Sequence, residues 1–153
     1  MLDANLKQQL DTYLRNIVHP IEVSVSKETG SNQADSNQTS SRQANVNAAK
    51  AEELRQLAVE IAGLSDKISV TDGESERSPS MAIAPVGESP RVRFSGIPLG
   101  HEFTSLVLAL LQAGGHPSKA DPALLEQVRQ LKGEYHFETY ISLTCQNCPD
   151  VVQ

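Results

Sequence analysis

The chain has 153 residues, 39% of them hydrophobic, with 13 Lys and Arg against 19 Asp and Glu for a formal charge of -6. That acidic balance argues against nucleic acid or anionic lipid as a partner, because both need Lys and Arg concentrated on one face. The length suits one ordinary domain or two small units with a real core, and eight prolines, nine glycines and no tryptophan point to a mixed fold with many turns.

The opening "MLDANLKQQLDTYLRNIVHP" has acidic and amide residues where a secretion signal would carry a basic and then an uninterrupted apolar stretch, so no export is expected. Leu2, Leu6, Leu10, Tyr13, Leu14 and Ile17 recur at helical spacing and predict a helix over 2–18 that Pro20 ends. "IEVSV" alternates, with Ile21, Val23 and Val25 on one face, and predicts a half-buried strand. Residues 26–47 are rich in Ser, Asn and Gln and nearly empty of apolar side chains, which predicts a disordered polar insertion.

From Ala48 the stripe Leu54, Leu57, Ala58, Ile61, Leu64 predicts a helix that Gly63 helps to end, followed by a short strand "KISV". "SMAIAP" and "RVRFSG" predict a hairpin with Met81, Ile83, Val92 and Phe94 facing the core and Arg91 and Arg93 facing out. "FTSLVLALLQAGG" is too short to cross a bilayer and predicts a buried helix over 100–113 in a cytoplasmic protein. Helix, strand, helix, strand, hairpin and helix is the element order of an α/β, thioredoxin-like fold.

The order then begins again. "DPALLEQVRQLKG" predicts a helix started by a proline, with Leu124, Leu125, Val128 and Leu131 on one side, and "EYHFETYISL" predicts a strand. The chain therefore divides into one complete cysteine-free module, residues 1–115, and the opening of a second, residues 116–153, expected to be cut short just after "TCQNCPD".

Cys145 and Cys148 are the only cysteines. Thiol–disulfide exchange needs a thiolate, and a pair placed where a strand meets a helix N-terminus receives unpaired backbone N–H groups that lower a thiol pKa. In that arrangement Cys145 is the exposed nucleophile and Cys148, one turn on, the resolving thiol. Pro149 suits the first helical turn. Zinc is the competing chemistry, but it wants four ligands, and His101, His116 and His136 are scattered without a second paired motif. The spacing favours redox over metal.

The stretches "MLDANLKQQLDTYL", "PLGHEFTSLVLALLQAGGHPSK" and "FETYISLTCQNCPDVVQ" closely resemble the N-terminal part of the F component of bacterial alkyl hydroperoxide reductase, from residue 1 to the end apart from the longer polar stretch 26–47. The resemblance implies two tandem thioredoxin-like folds, only the second with a redox pair, whose motif Cys145 and Cys148 match. It implies a homodimeric parent protein in which a domain binding FAD and NADH passes electrons to that pair, which then reduces the disulfide of a partner peroxiredoxin. It also implies an acid–base role near the disulfide for Glu102; read without it, Glu102 is a carboxylate favoured by about 0.3–1 kcal/mol in the first turn of a helix. The chain has no Gly-x-Gly-x-x-Gly, so by itself it is expected to hold no flavin and to be inactive as a reductase. Its functional alternatives are a dithiol electron carrier and a non-catalytic interaction or structural module.

His101 reads as a surface or cap residue and His116 as part of a turn, while Pro79 stands where thioredoxin-like folds often carry a cis-proline.

Overall fold

The computed structural model describes the backbone of residues 2–26 and 38–153, and the side chains of all of these except 38–45. Helix α1 runs Ala4–Leu14 and is started by Asp3, whose carboxylate accepts the Leu6 N–H at 2.8 Å. Leu10 and Leu14 carry its buried face, and Ile17 follows them into the core, whereas Tyr13 stays exposed. Strand β1, Ile21–Ser26, buries Ile21, Val23 and Val25 as the alternation requires.

Helix α2, Gln38–Ala62, carries the chain across to strand β2, Ile68–Gly73, which lies parallel to β1 with Ile21 opposite Ile68. Strands β3, Ser80–Pro85, and β4, Val92–Ser95, form the expected hairpin, with Met81 opposite Phe94 and Ile83 opposite Val92. β3 also runs antiparallel to β1, so the four-stranded sheet has the order β2-β1-β3-β4. A 3-10 turn, Gly100–Glu102, leads into helix α3, Phe103–Ala113. α2 packs on β1 and β2, and α3 on β3 and α1. Met81, Ala82, Ile83 and Ala84 are all buried, so β3 is covered on both faces.

Three expectations need correction. Of the predicted insertion 26–47, residues 27–37 lie outside the described residues, but Ser26 belongs to β1 and residues 38–47 belong to α2. Once the packed turns around Leu54 and Leu57 have nucleated the helix, adding residues at its N-terminal end costs little, so a helix can outrun its apolar stripe. Val92 does not enter the core: it is exposed and Phe94 only half-buried, because β4 is an edge strand of the sheet. The predicted strand 134–143 is absent among the described residues. A strand exists only against a partner whose N–H and C=O groups complete its ladder, and among the described residues this stretch has none. Its side-chain alternation survives locally, with the Tyr135 and Phe137 rings stacked at a centroid distance of 6.4 Å.

Helix α4, Pro122–Gln130, is capped by Asp121, which accepts the Ala123 N–H at 2.7 Å, yet it buries no residue, and Leu124, Val128 and Leu131 are each more than half exposed. The five-residue helix α5, Cys148–Val152, closes the chain.

The end of α3 is locked to the segment after α1. The Gly114 carbonyl accepts the Val18 and His19 N–H groups at 2.8 and 2.9 Å, and a Cβ at Gly114 would lie 2.8 Å from Ile17 Cγ2 and 3.1 Å from the Leu110 carbonyl oxygen. Two elements therefore meet at a distance only glycine allows. Gly114→Ala should cost about 1–3 kcal/mol in thermal or denaturant unfolding. Gly63→Ala, where the added atom finds only ordinary contacts at 3.5 Å, should be neutral or slightly stabilising.

Candidate dithiol site

The pair is built by a turn followed by a helix start. The Cys145 N–H donates to the Ser142 carbonyl at 2.9 Å, and α5 begins at Cys148 with Pro149 in its first turn. A proline there forfeits nothing, since the first N–H groups of a helix have no intrahelical acceptor. Both cysteines are free thiols and half-buried.

Their electrostatics are unequal. The Cys145 thiol is pushed below the ordinary thiol range, first because the Cys148 thiol donates to its sulfur and next because the Asn147 N–H points at it; burial opposes this, the Cys148 N–H assists it, and the charge of Glu102 opposes it. Cys148 moves the other way, chiefly because its proton is held by Cys145; a backbone hydrogen bond from Ser142 opposes the rise, and burial and the charges of Cys145 and Glu102 reinforce it. One sulfur is thereby disposed to be a thiolate and the other to keep its proton.

Residues from the first hundred or so positions form the other side. Gly100, at φ 64°, brings the backbone close to the Leu143 carbonyl: a Cβ there would sit 3.5 Å from that oxygen. The Gln153 side-chain amide, just past α5, donates to Thr104 Oγ1 at 3.1 Å and Ser105 Oγ at 3.3 Å, both in the first turn of α3. Ser105 in turn donates to Glu102 Oε2 at 2.8 Å. Glu102 is 0% exposed, and its second oxygen, Oε1, is buried with no hydrogen-bond partner among the described residues. An unsatisfied buried acceptor costs about 1–3 kcal/mol, so such an atom asks for an explanation.

The structure thus brings Cys145, Cys148 and Glu102 together. His101 is exposed in the 3-10 turn and His116 sits in the turn after α3, donating its N–H to the Leu111 carbonyl. The Ser78–Pro79 peptide is cis. Ser105 and Gln153 escaped the sequence reading; the i, i+3 spacing of Glu102 and Ser105 at a helix start was the available signal for the first, and nothing local marks the second.

Among the described residues no group of three or more His, Cys, Asp or Glu side chains gathers as a metal site. The described residues do not fit a flavin or dinucleotide either: among them no glycine-rich turn opens a helix, and a groove of about 820 Å3 lined by Glu88, Ser89, Pro90, Arg91, Glu134, Tyr135 and His136 contains neither cysteine. Among the described residues, no helix is long and apolar enough to cross a membrane.

No family model matches the chain. Along its whole length it is 51% identical over 154 residues to the alkyl hydroperoxide reductase F protein of Pseudomonas putida, 46% identical over 155 residues to the protein of that name in Escherichia coli, and 48% identical over 153 residues to a protein named NADH dehydrogenase in Bacillus subtilis. It spans only 26% of the length of each. Among solved structures it resembles the N-terminal domain of the alkyl hydroperoxide reductase F of Enterococcus faecalis, with a TM-score of 0.72, 23% identity and coverage of 99% of this chain and 70% of that one. A protein disulfide oxidoreductase of Aeropyrum pernix gives a TM-score of 0.70 at 24% identity, covering 99% of this chain and 66% of that one. The fold is thioredoxin-like.

Brief alkylation of the reduced chain at neutral pH should modify Cys145 before Cys148, with a pH midpoint below that of a free thiol, as read by mass spectrometry of the two labelled positions. Equal labelling, or Cys148 first, would contradict the assignment.

Proposed function

We propose, for a chain that is over its whole length a homologue of the N-terminal region of bacterial alkyl hydroperoxide reductase F proteins, a dithiol–disulfide electron carrier in which Glu102 serves as acid–base group to Cys145 and Cys148. The observation that carries this reading is the buried Glu102 carboxylate whose charge acts on both sulfurs while one of its oxygens has no partner. In the same reading, residues 1–115 form one thioredoxin-like module and 116–153 open a second, which explains why α4 and the stretch 134–143 lie uncovered.

The chemistry follows from the two unequal thiols. The Cys145 thiolate attacks one sulfur of a partner disulfide; a mixed disulfide forms as the partner's S–S bond breaks and its other sulfur leaves as a thiolate. Glu102 Oε1 takes the proton from Cys148, and the Cys148 thiolate attacks the Cys145 sulfur, closing the Cys145–Cys148 disulfide and releasing the partner's second thiolate. Two electrons pass to the partner. The proton held on Glu102 returns to a leaving thiolate, and the last proton comes from solvent, where Cys145 had left it. A peroxiredoxin disulfide is the partner this reading assigns in a cytoplasmic, dimeric reductase, with NADH and FAD held by the remainder of a protein of the relatives' length.

The exposed apolar side of α4 favours a second reading, a non-catalytic docking module. Glu102→Gln separates the two. Its charge opposes the Cys145 thiolate, so removing it should leave alkylation of Cys145 as fast or faster. Reduction of oxidised glutathione by the dithiol should nevertheless slow by at least about tenfold, because the proton acceptor for Cys148 is gone. If both rates rise together, Glu102 is only a charge near the thiols and the acid–base role is wrong.

A further inference from the structure

An ion-pair network joins the stretch that leads to the cysteine pair to an element far from it in sequence. The Arg77 guanidinium, in the connection between β2 and β3, meets Glu138 through one nitrogen, at 2.9 Å to Oε1 and 3.1 Å to Oε2. Tyr140 donates its hydroxyl to Glu138 Oε2 at 2.7 Å, and His136 Nε2 stands 3.5 Å from Oε1. Three side chains thus converge on one carboxylate, two of them from the extended stretch itself. Glu138 is held down to about 2, by the Tyr140 hydroxyl first and Arg77 next.

Arg77 has a firm base. Its own N–H donates to Ser75 Oγ at 3.2 Å, the Pro79 carbonyl accepts the Gly96 N–H at 2.8 Å, and the buried Ser80 N–H donates to Ser26 Oγ at 2.9 Å. Among the described residues the stretch 134–144 has no strand partner, and no backbone hydrogen bond ties it to the sheet. Downstream of the pair, Gln153 is tied to Thr104 and Ser105. Cys145 and Cys148 are therefore bracketed, by the Gln153 contact on one side and the Glu138 network on the other.

We propose that Arg77 is a positioning residue: by holding Glu138 it ties the stretch leading to Cys145 to the β2–β3 connection and so places the dithiol beside Glu102. This rests on the acid–base reading above and adds a residue to it. Arg77 touches neither sulfur, and its effect runs through the placement of the backbone.

The test combines Arg77→Ala, Arg77→Lys and the exchanged pair Arg77→Glu with Glu138→Arg, in the whole chain. Amide hydrogen exchange over 134–144 should quicken roughly three- to fivefold in Arg77→Ala, the range for loss of one partly exposed ion pair, while the main melting transition stays in place. Reduction of oxidised glutathione should slow by a similar factor. Arg77→Lys should restore part of both, and the exchanged pair more. In a Glu102→Gln background Arg77→Ala should slow reduction no further, since the group it aligns is already gone. Unchanged hydrogen exchange in Arg77→Ala overturns the proposal. So does faster exchange with unchanged reduction, or a slowing that simply adds to that of Glu102→Gln. If Glu102→Gln alone leaves reduction unchanged, the acid–base reading fails by itself and the alignment assigned to Arg77 fails with it; the exchange data still show whether Arg77 holds the stretch.

Discussion

A carboxylate at 0% exposure, with one oxygen bonded to Ser105 and the other without a partner among the described residues, is the constraint around which this chain is arranged. Glu102 reaches that position because the 3-10 turn Gly100–Glu102 feeds directly into α3, whose Leu106, Leu110 and Leu111 are pulled into the core. The helix is anchored by apolar packing, and the polar side chain at its start goes inward with it. Hydrophobic burial of three leucines, each contributing about 1.5–3 kcal/mol, outweighs the roughly 1–3 kcal/mol cost of one unsatisfied oxygen. Stability alone would favour a smaller or apolar side chain at 102. The acid–base role proposed for Glu102 accounts for a buried carboxylate there, and its charge acts on both sulfurs.

The two thiols are made unequal by local geometry. Cys145 collects hydrogen bonds from the Cys148 thiol and from backbone N–H groups at the start of α5, while Cys148 spends its proton on Cys145. The same hydrogen bond thus favours a thiolate at one position and a thiol at the other, which is the state a nucleophile and its resolving partner require. What α5 lacks in length it recovers in contacts, since Gln153 ties its end to the first turn of α3.

Much of the sheet was legible in the sequence because each signal was local. The alternation of Ile21, Val23 and Val25, the paired runs around Met81 and Phe94, and the stripe Leu54–Leu57–Ile61 each identified an element whose burial depends on its own residues. Asp121 followed by Pro122 marked the start of α4 within a residue. The failures have one cause in common: they depend on partners. Residues 134–143 have the composition of a strand but no neighbour to pair with, Val92 sits on an edge, and residues 38–47 extend a helix nucleated downstream. At the site, the cysteine spacing and the start of α5 could be read directly. The approach of Glu102 to the pair came only from family resemblance, and Ser105, Gln153 and Arg77 act through contacts distant in sequence that no local pattern encodes.

In the proposed mechanism the Glu102 carboxylate and the dithiol sense one another directly. Carbon-13 NMR of side-chain-labelled glutamate, with the Glu102 signal assigned by its loss in Glu102→Gln, tests this without any partner or turnover. The Glu102 carboxyl shift should move when the Cys145–Cys148 pair is oxidised, and in the reduced chain it should follow the titration of Cys145. A Glu102 signal indifferent to both the redox state and the ionisation of the pair would contradict it.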